Sequence, residues 1–506
     1  MFKSLRPLVF FPTFIILVGA LIFSLVDLAL FTQYTKVANN FVLSHFSWLF
    51  SLGSFYLLVL IAITYFSKLG NIKIGGENAT PKLSKARWFM IVLCTTLAVG
   101  VLFWTTAEPL YHLYSPPESW GIEANSPNAV LFAFSAMFLH WGPTPYAIYA
   151  VPALIFALVF HNLKLPYSIS SSLRPVFGKY VTGCMGSVID ALALYSLVVG
   201  MASSLGTGAL TLLGGVSQYL PVERNALTLG IIIAVIVLTF VLSAASGLIK
   251  GIARLSMVNF WLLIALFVFT LIFGPTLYML GIGVEGFGAF LQNFFRLSLF
   301  TGQAASDPWP QWWSVFYWAV WFAWAPITAM FLGKIARGYT VREFIQVNVI
   351  FPSLFVLLWI SVFSGAAIFM DQASNGGLYA ILNDGGIEQL LYHIFGELPL
   401  SSITSLVLVF IAFISYVTAA DSSTDAIGDL CVKNFNADSQ EGTGLPIKVL
   451  WGTIIGLVAW IMVSTVGVAG VKSLSNLGGL PATLIILCCS FTLVKWIKNP
   501  SLLLNK

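Results

Sequence analysis

Two short stretches of the chain concentrate aromatic side chains that could bind a cation. The stretch LHWGPTPYAIYAVP carries Trp141, Tyr146 and Tyr149, and the stretch YWAVWFAWAP carries Trp318, Trp321 and Trp324. The three tryptophans recur every third residue, so they lie near one face of a helix. Aromatic faces attract a quaternary ammonium group with about 0.5–2 kcal/mol per ring. The chemistry that these residues favour is binding of an organic cation, and plain helix packing is the alternative.

A few ionisable side chains lie inside apolar segments, where such residues are functional candidates by default. They are Asp27, Glu108, His140, Asp190 and Asp421. We expect a structural or interfacial role for Asp27, a solvated span end for Glu108, a partnered core position for His140 and a membrane-surface position for Asp190. Asp421 could cap a broken helix or orient an ion site. No catalytic constellation or metal-ligand spacing accompanies them, so we do not expect an enzyme. A channel or a sensor is the rival to a transporter.

The elements that position these residues follow from the composition. Of the 506 residues 58% are hydrophobic and 8% are charged, whereas soluble domains carry about 25% charged residues. A membrane span needs about 20 apolar residues. We therefore predict an all-α polytopic membrane protein, with twelve spans at 7–33, 43–66, 88–106, 129–160, 183–218, 225–246, 256–282, 311–333, 345–369, 400–424, 449–468 and 478–494. Tryptophans near predicted span ends fit an interfacial belt; these are Trp88, Trp309, Trp312, Trp313 and Trp496.

The basic residues predict the orientation. If the N-terminus and every second loop share one side, 20 of the 24 Lys and Arg residues fall on that side. The other side then holds Lys36, Arg224, Arg296 and Lys472. Cytoplasmic loops carry such an excess, so we expect a multi-pass protein of the inner (plasma) membrane with both termini in the cytoplasm. The same signal explains the net charge of +5 without a nucleic-acid partner.

Breaks in the apolar segments predict where a binding site lies, because transporters often build sites from interrupted helices. The third span contains Gly100 and the eighth contains Pro326. Their separation by five spans suits an inverted repeat within a single domain, with spans 3–7 over 88–282 and spans 8–12 over 311–494. Residues 7–66 then form two peripheral spans. We expect an outer interfacial helix over 283–310 and, over 371–399, an outer loop with one or two short helices that acts as a lid or a passive cover.

Over nearly its whole length the sequence resembles the betaine/choline/carnitine transporter family. The family's hallmark stretch in the eighth span reads YWAVWFAWAPITAMFLGKIARGYTVREF here. Further matches are AEPL (107–110), HWGPTPYAIY (140–149), KGIARLSMVN (250–259) and TAADSST (418–424). The resemblance implies a leucine-transporter-type repeat in spans 3–12, a homotrimer in the lipid bilayer and substrates that bear a quaternary ammonium group.

The resemblance also implies a substrate site. Its aromatic box is matched by Trp141, Tyr146, Tyr149 and Trp321. Trp324 matches the residue that meets the substrate's carboxylate or a nearby pathway position, and Gly100, Val320 and Pro326 would line the site. Tyr146 and Val320 replace tryptophans of typical members, which predicts a smaller or differently shaped box. Proton-coupled choline carriers tend to have Asp at the Gly100 position, so the glycine favours a zwitterion such as glycine betaine or carnitine.

The ion site is likewise implied by the resemblance. The family's sodium ligands correspond to main-chain atoms near Cys94 and Leu97 and to the pair Thr418-Ala419, which lacks one of the usual two hydroxyls. A second ion site could use the hydroxyls of Ser203, Ser204 and Thr207. We expect a sodium-coupled symporter, with Na+ as coupling ion and no other cofactor. Ion-independent exchange and a proton-coupled choline carrier are the alternatives. The short termini favour nutrient uptake or exchange over osmotic sensing.

Overall fold

The computed structural model describes residues 5–97, 100–245, 249–384, 386–433 and 445–503, and within these ranges the chain is helical without a β-strand. The first ten helices are α1 (Pro7–Val26), α2 (Leu28–Phe66), α3 (Lys85–Leu97), α4 (Gly100–Tyr114), α5 (Pro127–Trp141), α6 (Pro143–His161), α7 (Arg174–Phe177), α8 (Gly183–Val216), α9 (Ala226–Ala245) and α10 (Ile249–Phe273). The next ten are α11 (Thr276–Ser298), α12 (Trp309–Trp312), α13 (Ser314–Ile335), α14 (Val341–Ile345), α15 (Phe351–Ala373), α16 (Gly377–Asp384), α17 (Ile387–Gly396), α18 (Ser401–Cys431), α19 (Leu445–Thr465) and α20 (Val468–Lys498).

Eleven segments of the described chain are long and apolar enough to cross a bilayer. The bent pair of α3 and α4 is a twelfth if the two helices count as one span. The pairs α5 and α6, α12 and α13, and α14 and α15 each count as one span. The predicted all-α polytopic membrane fold is therefore confirmed, with eleven or twelve candidate spans among the described residues.

The first two spans meet at Asp27, which the sequence places inside span one. Helix α1 ends at Val26, and α2 continues from Leu28 for 39 residues. The Asp27 carboxylate accepts a hydrogen bond of 2.9 Å from the backbone N–H of Leu30. This is an N-cap, which satisfies a donor that a helix start leaves free. Asp27 thus has the structural role expected of it, at a boundary that apolar periodicity alone does not reveal.

The two expected interruptions have different outcomes. Helix α3 ends at Leu97 and α4 begins at Gly100, with an angle of 55° between them. Helix α13 instead continues through Pro326 as one element, so the break expected in the eighth span is not there. A membrane helix tolerates an internal proline when neighbouring helices surround it, and α13 packs against α6, α8, α18 and α20.

The connecting regions contain more helix than the apolar pattern suggests. The seventh span ends at Phe273, nine residues before its predicted end, and α11 begins at Thr276 rather than at 283. One side of α11, with Gly286 and Phe290, is buried against α5 and α15. Within 371–399 the chain forms two short helices, α16 and α17.

Both ends of the described chain lie at the same end of the helical bundle, here called the terminal face. Arg6 bonds the carbonyl of Cys431 through its backbone N–H at 2.8 Å and pairs with Asp190 at 2.5 Å. Near the other terminus, the Lys495 ammonium donates to the carbonyl of Pro175 at 2.6 Å. Helix α20 ends at this face and therefore begins at the opposite face of the bundle.

Candidate functional site

A small cavity lies beside the break between α3 and α4, enclosed by seven helices. Its lining comes from α3 (Thr95, Thr96, Leu97), α4 (Gly100, Trp104), α5 (Trp141), α6 (Tyr149), α8 (Ser203, Ser204, Thr207), α13 (Phe316, Tyr317, Val320, Trp321, Trp324) and α20 (Val471). The cavity volume is about 60 Å³, which is room for a few water molecules at about 10–15 Å³ each. Among these described residues no side chain carries a charge, so the lining is aromatic and hydroxyl-bearing.

Trp321 is the centre of the aromatic lining. Its ring centroid lies 5.9 Å from that of Trp141, 5.7 Å from Tyr146 and 5.0 Å from Tyr149, at angles between 58° and 77°. Such edge-to-face and tilted arrangements are the favoured ones for aromatic pairs. Since Trp321 is only 3% exposed, α5, α6 and α13 together hold its ring in one orientation.

The sequence-predicted residues fall into two groups. Trp141, Tyr149, Trp321 and Trp324 line the cavity with Gly100 and Val320. Tyr146 is not among the lining residues, although its ring packs against that of Trp321. Pro326 is buried in α13 and is not among the lining residues.

Three aromatic lining residues were missed by the sequence reasoning: Trp104, Phe316 and Tyr317. A signal existed for Tyr317, because it precedes Trp321 by four residues and therefore shares its helix face. Trp104 follows Gly100 by four residues, on the first turn after the break. Phe316 carries no such pattern.

The interfacial belt expected of five tryptophans is largely wrong. Trp312 is 58% exposed, but Trp313 is 7% exposed, and Trp88, Trp309 and Trp496 are also buried. Trp313 packs against His112 with centroids 4.6 Å apart. Trp88 lies on α3, Trp309 on α12 and Trp496 on α20, so tryptophans near the ends of different spans pack inside the protein instead of facing outward.

Glu108 holds two of the cavity's aromatic side chains from behind. Its Oε2 accepts hydrogen bonds from the indole N–H of Trp141 at 2.9 Å and from the hydroxyl of Tyr317 at 2.5 Å. Its Oε1 lies 2.6 Å from Nδ1 of His140 and 3.1 Å from Nε2 of His112. The carboxylate is fully buried, so the solvated position expected for it is wrong. His140 is a partnered core residue, as expected, since its Nε2 also lies 2.9 Å from the Ser314 hydroxyl.

Glu108, His112 and His140 form a cluster of metal-ligand type that we did not predict, although Glu108 and His112 are four residues apart on α4 and therefore share a helix face. The ligand atoms of Glu108, His112 and His140 all lie within 4.8 Å of one another. The second oxygen of Glu108 is taken by Trp141 and Tyr317, both of which line the cavity. The arrangement therefore also serves to orient these two rings, and the hydrogen bonds account for the carboxylate's burial, because buried charges need paired or hydrogen-bonding partners.

Two glycines allow helices to approach at the site. A Cβ atom on Gly100 would lie 3.3 Å from Cη2 of Trp141. A Cβ atom on Gly200 of α8 would lie 3.1 Å from Cδ1 of Trp324. Both distances are shorter than ordinary van der Waals contact, so the glycines set the positions of these two indoles.

The candidate ion ligands occupy two places. Leu97, Ser203, Ser204 and Thr207 line the cavity. Cys94, Thr418 and Ala419 lie outside the lining. There, Asn259 on α10 contacts the Cys94 sulfur at 3.8 Å and donates to the Ser415 hydroxyl of α18 at 3.0 Å.

The hydroxyls in these places bond chiefly to protein oxygens. Thr418 donates to the carbonyl of Ile414 at 2.9 Å. Ser203 bonds the Ser475 hydroxyl of α20 at 2.7 Å. A hydroxyl oxygen retains acceptor capacity when its hydrogen is donated, so both remain able to face a cation. Asp421 accepts from the Ser243 hydroxyl at 2.5 Å.

A larger cavity of about 880 Å³ opens at the terminal face. Seven basic residues line it, which are Arg6, Lys82, Lys164, Arg174, Lys334, Arg337 and Lys433, and its described lining includes no acidic residue. Arg6 and Lys334 pair with Asp190 and Asp429, but the lining is basic on balance, so it suits an organic cation less well than an uncharged aromatic lining does. The small aromatic cavity is the better candidate for recognising one.

Comparison with known proteins agrees with the resemblance seen in the motifs. Residues 8–501 match the family model of the betaine/carnitine/choline family transporters. A probable glycine betaine transporter of Desulfitobacterium hafniense is 29% identical over 486 residues, covering 95% of this chain and 96% of that protein. A glycine betaine/proline/choline/ectoine transporter of Vibrio parahaemolyticus is 32% identical over 504 residues, which cover 96% of this chain and 87% of that protein.

Further similarities include an ectoine/hydroxyectoine transporter of Virgibacillus pantothenticus, 30% identical over 455 residues that cover 90% of this chain and 89% of that one. A solved Na+-coupled sialic acid symporter aligns with a TM-score of 0.46 at 16% identity, covering 89% of this chain and 86% of the other. The three matched relatives from D. hafniense, V. parahaemolyticus and V. pantothenticus are named as transporters, in agreement with the expectation that the chain is not an enzyme. Because the family model spans nearly the whole chain, the protein belongs to the betaine/carnitine/choline transporter family.

Proposed function

We propose that the protein is a secondary active transporter of a small quaternary ammonium zwitterion, such as glycine betaine or carnitine, driven by sodium. The observation that carries the proposal is the uncharged aromatic cavity around Trp321. Aromatic rings bind an onium group without a counter-ion. The site therefore suits a substrate whose own carboxylate already balances its charge.

The onium group would lie among Trp141, Tyr149 and Trp321. Each ring contributes about 2 kcal/mol when desolvated, and together the three rings are enough to orient the substrate. A trimethylammonium group needs more room than the few waters that fit, so the rings must separate on binding. The break at Gly100 is where α3 and α4 can change their mutual angle, which would give alternating access to the cavity.

Sodium coupling is supported by oxygen atoms near the same cavity. Ser203, Ser204 and Thr207 bring hydroxyls to one wall, and the C-terminal end of α3 at Leu97 offers main-chain carbonyls that a helix end leaves without intrahelical partners. Broken helices in transporters use such carbonyls for Na+. A sodium ion bound there would neutralise the substrate's carboxylate and couple the two fluxes.

Uptake into proteoliposomes tests the proposal. Labelled betaine, carnitine and choline are offered with an inward sodium gradient, with equal sodium on both sides, and with a proton gradient alone. We expect concentrative uptake of a zwitterion only with the sodium gradient. Uptake that requires substrate inside the vesicles but no sodium would show that the protein is an exchanger and not a symporter. Unsaturable flux would indicate a channel, and absence of any onium transport would refute the proposal.

A matched pair of variants tests the aromatic box. Trp321→Leu removes the central ring, and Trp261→Leu removes an indole that is 57% exposed on α10. We expect loss of saturable transport in the first variant and near wild-type transport in the second. Equal effects of the two variants would contradict the assignment of Trp321.

Orientation and assembly are also proposals, with both termini in the cytoplasm and three chains per particle. Cys184 is an exposed free thiol at the start of α8, on the terminal face. An impermeant maleimide should label Cys184 in inside-out vesicles and not in right-side-out vesicles, with Cys184→Ser as the control. The mass of the detergent-solubilised particle by light scattering would show three chains, and a mass of one chain would exclude the trimer.

A further inference from the structure

Helices α4 and α5 bring two imidazoles and one carboxylate together at a point that solvent does not reach. The side chains of Glu108, His112 and His140 have no exposed surface. Oε1 of Glu108 lies 2.6 Å from Nδ1 of His140 and 3.1 Å from Nε2 of His112. The three side chains therefore offer one ligand atom each to the same small volume.

This donor set is typical of zinc. Two imidazoles and one carboxylate form one of the sets with which proteins bind Zn2+, and such sites keep a fourth position for water. With bonds of about 2.0–2.1 Å, the ligand atoms of a tetrahedral zinc site lie about 3.3 Å apart. The contact of Glu108 with His140 would then widen by about 0.7 Å and that with His112 by about 0.2 Å. Mg2+ and Ca2+ prefer all-oxygen sites, so the set favours Zn2+.

Both imidazoles can turn a lone pair toward an ion. Nδ1 of His112 has no hydrogen-bond partner among the described residues, so no acceptor there fixes the ring proton on Nε2. Nε2 of His140 lies 2.9 Å from the Ser314 hydroxyl, and a hydroxyl accepts a hydrogen bond as well as donating one. Each ring can therefore carry its proton on the nitrogen that points away from Glu108, which is the tautomer that metal ligation requires.

The second oxygen of the carboxylate is already held in place. Oε2 of Glu108 accepts hydrogen bonds from the indole N–H of Trp141 at 2.9 Å and from the hydroxyl of Tyr317 at 2.5 Å. These bonds direct Oε1 toward the two imidazoles. Carboxylates that bind metals are usually oriented by hydrogen bonds of this kind, so the ligand geometry is prepared before an ion arrives.

We propose that Glu108, His112 and His140 bind a Zn2+ ion that links α4 to α5 beside the substrate cavity. The binding of the ion does not depend on the proposed function, but its effect on transport does. In the proposed transport cycle α4 changes its angle to α3 at Gly100, and an ion that joins α4 to α5 restrains this movement. Zinc is therefore an inhibitor of transport.

Metal binding to the purified full-length protein, after removal of metals by chelation, tests the site. Equilibrium dialysis with Zn2+ counts the ions per chain. Co2+ serves as a spectroscopic substitute, because its visible absorption distinguishes tetrahedral from octahedral coordination and geometry is diagnostic of the ligand set. We expect one bound Zn2+ per chain, a tetrahedral Co2+ spectrum and no displacement of either ion by Mg2+. Zn2+ should also raise the unfolding temperature, since it binds the folded state.

Three cluster variants and one matched control locate the ion. His112→Gln and His140→Gln each remove a ligand and should abolish the site and the Co2+ spectrum. Glu108→Gln keeps a carbonyl oxygen for the ring donors and should weaken Zn2+ binding by more than about 10-fold, because loss of even an outer partner of a metal ligand costs that much. The control is His393→Gln, which removes an exposed imidazole 4.0 Å from Glu397 at the same four-residue spacing. It should keep the ion.

The zinc site is refuted by a wild type that binds no Zn2+, by an octahedral Co2+ spectrum, by a folded cluster variant that keeps wild-type affinity, or by loss of the ion in His393→Gln. If neither histidine variant folds, as judged by thermal unfolding, Glu108→Gln decides.

Betaine uptake into proteoliposomes tests the consequence separately. Zn2+ should slow uptake by the wild type and by His393→Gln, and unchanged uptake with one ion bound would overturn the proposed restraint of α4. Zinc binding in a protein that transports no onium compound would count against the proposed function and still support the site. The two proposals therefore fail in distinguishable ways.

Discussion

The replacement Glu108→Gln tests how the cavity keeps its shape. Glu108 does not line the cavity, but it bonds the side chains of Trp141 and Tyr317, which do. The carboxylate accepts from Trp141 and Tyr317 with one oxygen and faces His140 and His112 with the other. Glutamine has the same shape and keeps one carbonyl oxygen for the two ring donors. The substitution therefore removes the charge while leaving a partner for each ring.

The magnitude follows from the kind of hydrogen bond that is lost. Bonds to a charged group contribute about 1.5–3 kcal/mol and neutral ones about 0.5–1.5 kcal/mol, so each ring donor loses about 1 kcal/mol. We expect the binding free energy of the onium group to weaken by the loss at one ring or at both rings, which is about 1–2 kcal/mol. At about 1.4 kcal/mol per tenfold change, the substrate KM should rise by about 5- to 30-fold. Glu108→Ala leaves buried donors without a partner, each at about 1–3 kcal/mol, and should prevent folding.

The assay is sodium-driven betaine uptake into proteoliposomes, with KM and maximal rate measured separately. The control is Glu118→Gln, which removes an exposed carboxylate in the loop after α4 and should leave KM unchanged. Thermal unfolding of both variants checks that they are folded. A Glu108→Gln protein with wild-type KM would refute the view that this carboxylate positions the rings.

Three smaller predictions concern other contacts. Gly100→Ala places a methyl group 3.3 Å from the Trp141 ring and should raise the KM for betaine severalfold, measured in the same uptake assay, while an unchanged KM would show that the indole can shift freely. Asp190→Asn weakens the pair with Arg6, in which Asp190 is fully buried and Arg6 is 22% exposed. Because a broken buried pair costs about 3–5 kcal/mol and solvent screens the exposed partner, we expect a loss of about 2 kcal/mol, seen as a lower unfolding temperature. Asp27→Ala removes the N-cap of α2, which costs about 1 kcal/mol of stability. It should lower the unfolding temperature by less than Asp190→Asn does. A larger decrease for Asp27→Ala would contradict both stability estimates.

The number and nature of the spans could be predicted because they depend on local composition. A run of about 20 apolar residues forms a membrane helix wherever it occurs, so the twelve spans follow without knowledge of their packing. Their ends could not be predicted as well. Asp27 starts a new helix by a single side-chain hydrogen bond, and the apolar run on either side of it gives no sign of this.

Four of the seven aromatic lining residues could be predicted from the sequence for a similar reason. Helical spacing places Trp321 and Trp324 near one face, and the family motif singles out Trp141 and Tyr149. The spacing did not show that Tyr146 is left out of the cavity lining, or that α13 passes Pro326 unbroken. Both depend on what surrounds α13, and a one-dimensional pattern carries no information about neighbours.

The sequence by itself determined the class of the protein, its helical spans and the aromatic character of its site, since apolar run length and helical spacing are properties of short segments. Only the tertiary structure placed Glu108 on α4 against Tyr317, 209 positions along the chain, and the Lys472 ammonium against rings of α4 and α13. Such contacts join residues that no local pattern links. Buried polar groups need hydrogen-bonding partners. The fold and not the spacing therefore decides that Glu108 bonds the rings of the site and that Lys472 lies against aromatic rings.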